Sequence, residues 1–278
     1  MIQLFHDLGE RCSKATTEQY STSFASAIKL LHKDLRQPIF NIYGFVRLAD
    51  EIVDSFHDFD KSTLLHQFKT DTYQAIDRKL SLNPILNSFQ RTVHAYDIDK
   101  TLIAAFFESM EMDLNNKTYD TAAYRQYIYG SAESVGLMCL FVFCEGDKKM
   151  YESLKAAAQS LGAAFQKVNF LRDLKADFNN LNRMYFPSCD FNNFNNQQKK
   201  LIEDDIQKDF EAAYAGILNL PTKARFGVYV AYKYYNSLFY RIKRLPPAQI
   251  LDNRIRIPNI IKAMIIVSAG LKNQLRLI

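Results

Sequence analysis

The stretch Gln166-Lys167-Val168-Asn169-Phe170-Leu171-Arg172-Asp173-Leu174-Lys175-Ala176-Asp177 decides how the 278-residue chain folds. Its polar residues Gln166, Asn169, Asp173 and Asp177 recur in steps of three and four, and Phe165, Val168, Leu171 and Leu174 flank them with the same step. That period is helical, so four polar side chains form one stripe over about three turns. The stripe runs where a soluble helix normally carries a buried apolar face.

Working outward, Asp147 can cap a helix over Lys148–Phe178, Asp99 one over Lys100–Asn115 and Asp120 one over Thr121–Cys144. Thr222 opens Lys223–Arg244, and Glu18–Leu31 and Gln37–Asp54 carry the same apolar spacing, with Pro38 tolerated in a first turn. Nine Gly and seven Pro are too few for the turns of a sandwich or of repeated βα units, and no alternating strand pattern appears. Polar residues from Phe178 to Asn196, ending the long helix before Pro187, and Leu245-Pro246-Pro247 break the helices without marking a linker. The expectation is an all-α single domain over residues 1–278.

With 48% apolar residues the chain can bury a sizeable core, which excludes disorder and fibrous classes. Twenty-one Phe and sixteen Tyr against no Trp make that core aromatic. A net charge of +5 from scattered basic residues gives no support to nucleic-acid binding and is compatible with anionic membranes or phosphorylated substrates. Cys12, Cys139, Cys144 and Cys189 lack zinc-type spacing and read as reduced thiols. The five histidines form no ligand pair and no triad, leaving His57, beside the first acidic pair, as the one to test. No Gly-rich nucleotide loop is present. The apolar run Val135–Phe143 is about half a membrane span and reads as a buried helix, and Met1–Glu10 lacks a signal-peptide pattern, so a cytoplasmic location is expected.

A second acidic segment, Tyr43 to Asp54, places Tyr43, Arg47, Asp50 and Asp54 on one helix face. Like charges four residues apart repel, so an inward-facing pair needs a cation. Magnesium fits, because it binds hard oxygens and commonly joins one or two carboxylates to substrate phosphates. Four Asp-x-x-x-Asp pairs occur, so spacing alone decides little. Asp205/Asp209, within the charge-dense Lys199–Lys208 region, reads as a solvated face, and Asp54/Asp58 runs towards a loop. What separates Asp50/Asp54 and Asp173/Asp177 is their company of Arg47, Arg172, Arg183 and Tyr185, which can orient phosphate oxygens.

Four segments together resemble the squalene/phytoene synthase family, enzymes that join two prenyl diphosphates head to head: Tyr20-Ser21-Thr22-Ser23-Phe24, Arg47 to Asp54, Tyr127 to Met138, and Gln166 to Asp177 followed by Arg183-Met184-Tyr185-Phe186-Pro187. The resemblance covers most of the chain. It implies a helical bundle of the isoprenoid-synthase type with a central apolar cavity, in which Asp50, Asp54, Asp173 and Asp177, assisted by Asn169, hold magnesium, with manganese as a substitute. Gln166, near the reacting carbons, and Tyr43 join the catalytic set. Ser21, Ser23, Phe24, Arg47, Asn169, Arg172, Arg183, Tyr185, Tyr235 and Arg254 are implied to contact substrate.

The implied reaction is ionisation of one allylic diphosphate and attack by the second substrate's double bond. Proton loss then gives a cyclopropyl diphosphate, which rearranges to a linear hydrocarbon. The first expectation is condensation of two geranylgeranyl diphosphates to phytoene in carotenoid biosynthesis, without NADPH. The alternatives are farnesyl diphosphate with dehydrosqualene, presqualene diphosphate or squalene as product, and a non-catalytic helical assembly factor. A carbocation must be kept from water. Phe24, Phe45, Val135, Leu137, Leu140, Phe165 and Leu171, with small Gly136 and Ala164, are the expected walls, each weighed against plain core packing. Ile257–Ile278 mixes apolar residues with Lys262, Lys272 and Arg276, and reads either as a core helix or as one resting on the inner face of a membrane, whose lipid suits a lipidic substrate and product.

Overall fold

The computed structural model describes every residue except 116–117, 182, 188, 190–193, 252–254 and 276–277, and describes only the backbone of 178–181. Thirteen α-helices and one π-helical turn account for the described chain, with a single isolated bridge between Thr118 and Met184 and no strand among the described residues. Helices α1 (Ile2–Tyr20), α2 (Thr22–Ile28) and α3 (Lys33–Ser55) open the chain, and α4 (Lys61–Arg78), α5 (Pro84–Tyr96) and α6 (Lys100–Asn115) follow. The second half holds α7 (Thr121–Ile128), the π turn Tyr129–Glu133, α8 (Ser134–Cys144), α9 (Lys148–Leu181), α10 (Asn196–Asn219), α11 (Thr222–Lys243), α12 (Pro247–Ile250) and α13 (Asn259–Gln274).

The expected helix Glu18–Leu31 is two helices. Ser21 adopts an extended conformation (φ −145°, ψ 92°) and its Oγ accepts from the Phe24 N–H at 3.2 Å, so it caps α2 and turns the chain between Tyr20 and Thr22. The expected helix Thr121–Cys144 is continuous but contains the π turn. One extra residue in that turn rotates the faces before and after it. Tyr127 thereby faces a buried polar cluster, while Ser131, Val135 and Gly136 face the central cavity. Thr121–Cys144 has the length and apolar character to cross a bilayer, yet more than half of it is buried between α3, α6 and α9.

Helices α2, α3, α8, α9, α10 and α11 surround a cavity of about 300 Å³. Small residues line this space, among them Ala157, Ala158 and Gly162 on α9 and Gly216 on α10. Gly162 also lets α9 approach the π turn, since a Cβ there would lie 2.6 Å from the Ala132 carbonyl oxygen. The solid core is elsewhere. Phe45 stacks on Phe89 with centroids 3.9 Å apart and meets Phe68, Phe106 and Phe107, joining α3 to α6.

That placement corrects part of the expected wall. Phe24, Val135, Gly136, Leu140 and Phe165 do line the cavity, whereas Phe45, Leu137, Ala164 and Leu171 are fully buried in packing. Phe24, Tyr43, Phe106, Phe143, Phe165 and Tyr235 are its aromatic lining, so most of the Phe/Tyr surplus fills core. Along its length the cavity is mainly aliphatic and small-residue surface.

Candidate active site

The cavity has a polar mouth and an apolar depth. At the mouth α3 contributes Tyr43, Arg47 and Asp50, and α9 contributes Gln166 and Asn169. Ser21 and Phe24 close one side from α2, where Phe24 stacks on Tyr43 at 5.1 Å, and Tyr235 closes another from α11, stacked on Phe165 at 3.9 Å. Asp54, one turn beyond Asp50, and Asp173 and Asp177, one and two turns beyond Asn169, extend the two polar stripes past the lining. Ser23 lies half-buried outside the lining, and Arg254 lies outside the described residues.

Electrostatics bind these stripes into one site. Burial and the neighbouring Asp54 carboxylate push the Asp50 carboxyl up to about 7. Burial, with Asp173 on the same helix and Asp54 across the mouth, raises Asp177 to about 8. Carboxylates of α3 and α9 are therefore close enough to repel, and the protein's own cations offset this only in part. Arg47 donates to Asp50 at 2.9 Å, pairs with Glu51 and lies 4.3 Å from the Tyr20 ring centroid. Arg172 pairs with the adjacent Asp173.

Arg183 and Tyr185, expected on phosphate, turn inward. Arg183 donates to Asp54 at 2.8 Å, to the Asp113 carbonyl at 3.0 Å and to the Tyr185 hydroxyl at 3.2 Å. Asp113, almost fully buried on α6, accepts from the hydroxyls of Tyr127 (2.6 Å), Tyr185 (3.0 Å) and Tyr119 (3.1 Å) and lies 3.6 Å from Arg183. Burial raises its carboxyl to about 6, although the Arg183 charge and the phenols pull the other way. Tyr185 is fixed further by stacking on Phe170 at 3.9 Å. The segment after α9 is thus tied through Arg183 to the end of α3, which positions Asp54. Sequence reading missed Asp113, although a signal was there: it continues the buried stripe Ile103, Phe106, Met110 of α6 in helical steps.

Two further readings need revision. Asp205 is exposed as expected, but Asp209 is mostly enclosed, because the buried Lys167 ammonium reaches both, at 2.6 and 2.7 Å. Lys199 and Glu203 are also buried, as a pair, so the charge-dense stretch is not wholly solvated. His57 is exposed, and its Nδ1 sits 3.0 Å from the Lys61 ammonium nitrogen.

Among the described residues no three acidic, His or Cys side chains converge into a ready-made metal cage. The donor set nevertheless suits a hard cation shared with a ligand. Asn169 Oδ1 is buried without a hydrogen-bond partner, in the cavity lining one helical turn before Asp173 on α9. An orphaned acceptor beside mutually repelling carboxylates is the environment a cation with phosphate ligands completes.

The sequence model of the squalene/phytoene synthase family matches residues 17–260. A 4,4'-diapophytoene synthase from Staphylococcus haemolyticus is 27% identical over 202 residues, 69% of this chain and 65% of the relative. A presqualene diphosphate synthase from Rhodopseudomonas palustris is 27% identical over 169 residues, 60% of this chain and 58% of the relative. These two alignments thus span less than two thirds of the relatives' own length. Phytoene synthase 2 of Solanum lycopersicum is 26% identical over 275 residues, 87% of this chain and 83% of the relative. Among solved structures, a dehydrosqualene synthase superposes with a TM-score of 0.83 at 18% identity, covering 97% of this chain and 98% of that one. A squalene synthase from Alicyclobacillus acidocaldarius gives 0.73 at 19% identity, covering 85 and 93%. These similarities establish the all-α isoprenoid-synthase fold.

Proposed function

The chain belongs to the squalene/phytoene synthase family, and from that premise we propose that it is a prenyltransferase condensing two geranylgeranyl diphosphates head to head to phytoene. The observation that carries this reading is the junction of two facing carboxylate stripes with one end of an apolar cavity. Diphosphates sit at the polar end and prenyl tails run into the depth.

The choice of tail rests on length. Leu154, Ala157, Ala158, Leu161, Gly162, Phe165, Gln166 and Asn169 all line the same cavity, so it follows α9 for fifteen residues, about 22 Å. An extended geranylgeranyl tail of fifteen main-chain carbon–carbon bonds is about 19 Å long. A farnesyl tail is four bonds shorter and spans about 5 Å less of that length.

Asp50, Asp54, Asn169, Asp173 and Asp177 are the residues that would hold magnesium, which when bound stabilises charge on the departing diphosphate. The chain's own groups do the rest. Arg47 and Arg172 orient the diphosphates and offset their charge as the allylic C–O bond breaks and its electron pair leaves with diphosphate. Phe165, Tyr235, Phe24 and Tyr43 wall the cation from water while the second substrate's double bond attacks. Burial holds the Tyr43 phenol up to about 12, so it stays protonated at the cavity mouth.

Purified protein is to be incubated with magnesium and each prenyl diphosphate, with and without NADPH, and the hydrocarbon identified. Phytoene from geranylgeranyl diphosphate without NADPH is expected. A product only from farnesyl diphosphate transfers the reading to dehydrosqualene, presqualene diphosphate or squalene, and no turnover of either substrate supports the non-catalytic assembly factor. Asp50→Ala and Asp173→Ala should each lower turnover by about a hundredfold or more with unchanged helical circular dichroism. Retained activity overturns the placement of the site.

A further inference from the structure

The cavity ends where the turns after α2, α8 and α10 meet, and close approaches between helices place that end. A Cβ on Gly216 would lie 2.2 Å from the Ala157 Cβ and 3.9 Å from Leu154 Cδ2, so the lining of α10 meets the deep end of α9. Leu220 follows one turn later, and α11 starts beside it. Gly227, near the start of α11, meets α2 in turn. A Cβ there would lie 2.5 Å from Leu31 Cδ2 and 3.0 Å from the Ala27 carbonyl oxygen. Ser21 and Phe24, earlier in the same segment, are at the mouth, so Leu31 stands at the opposite end.

The backbone around Leu31 is tied down. The His32 N–H donates to the Lys223 carbonyl at 2.8 Å, and the Lys223 ammonium reaches both Glu145 carboxylate oxygens at 2.9 Å, which joins the three turns. Leu31 is buried, lines the cavity and rests on bare α11 backbone, because Gly227 carries no side chain. A methyl group at 227 would take the place of the Leu31 side chain. With α2 and α11 backbone on either side, the cavity that both residues line is the space into which that side chain can turn. On the reading that prenyl tails run into the depth, we infer that Leu31, seated on Gly227, ends the cavity and sets the longest tail it accepts.

Plain core packing of Leu31 makes a different demand. A core leucine sets stability alone, whereas an end wall also sets which tail fits. Two opposite changes separate these roles. Leu31→Ala removes the branched end of the side chain and lengthens the lumen, while Gly227→Ala pushes Leu31 into the lumen and shortens it. In the double variant the added methyl group takes space that the shortened side chain vacates, so the two changes offset each other in length.

The test gives the wild type and each variant magnesium with farnesyl, geranylgeranyl and geranylfarnesyl diphosphates in competition, and the hydrocarbons are counted by tail length. Leu31→Ala should raise turnover of the longer tail against the shorter by about tenfold, and Gly227→Ala should lower it by about as much. The double variant should return to within about threefold of the wild type. Circular dichroism checks the fold, and Leu31→Val, a smaller cut, repeats the first arm with a shift of the same sign should Leu31→Ala lose helicity. Unchanged tail preference in folded, active variants overturns the proposal and leaves the prenyltransferase reading standing. A wild type that turns over none of the three diphosphates overturns that reading instead. Calorimetric affinities of the same diphosphates for the wild type and Leu31→Ala then decide the end wall, and an unchanged order of tails overturns it.

Discussion

Asp113 shows how one residue can organise others. Three phenols and the Arg183 guanidinium converge on it in a buried pocket, and Arg183 in turn holds Asp54. Removing one partner of a buried ion pair leaves the other charge uncompensated. Asp113→Ala should therefore cost about 3–5 kcal/mol of stability, read by urea denaturation, and loss below 1 kcal/mol would show that Arg183 finds its charge balance elsewhere. Asp50 and Asp177 make a second prediction. With folded-state values of about 7 and about 8, both hold protons in part near neutrality. A cation favours the charged carboxylate and lowers both values, so protons must leave on binding. Adding magnesium with inorganic diphosphate near pH 7 should release on the order of one proton per chain, measured with an indicator dye in weak buffer against a protein-free blank. Proton uptake would contradict the assignment of these acids.

At the scale of elements, α9 does two jobs, and its sequence separates them. Gln166, Asn169, Asp173 and Asp177 are polar at helical steps towards the mouth, while Leu154, Ala157, Ala158, Leu161 and Gly162 keep the same steps in small and apolar residues along the depth. Ala158→Phe should fill the lumen part-way down. Turnover of geranylgeranyl diphosphate should fall relative to farnesyl diphosphate by about tenfold, read from competing substrates in one incubation. An unchanged ratio would mean that the tails do not run along α9. Several helices were legible by their caps alone, yet periodicity passed over them. Asp60 accepts from the Thr63 N–H, Asn83 precedes Pro84 and caps α5, and Asn195 with Gln198 forms a capping box for α10. The π turn was not legible, because its extra residue leaves no mark in composition and is held by packing against α6 and α9.

For the whole molecule, the acids of α3 and α9 oppose one another across the cavity mouth. Ligands that neutralise them bind the native state alone and stabilise it by mass action. Magnesium with inorganic diphosphate at a hundred times its Kd should raise the melting temperature by about 5 °C or more, and a chelator should reverse the shift. No shift under those conditions would separate the carboxylate stripes from metal–diphosphate binding.

The amino-acid sequence by itself determined the helical class and the pairing of acids with arginines, because helical period and residue type are local properties. It also carried the family, through four short segments spaced along one chain. Only the tertiary structure decided which apolar residues are wall and which are core, since Phe45 and Phe165 are alike in sequence and differ only in what stands opposite them. It likewise decided that Arg183 and Tyr185 serve a buried acid on α6, 70 and 72 residues away in the chain. Burial and charge coupling arise from which helices meet, and packing sets that.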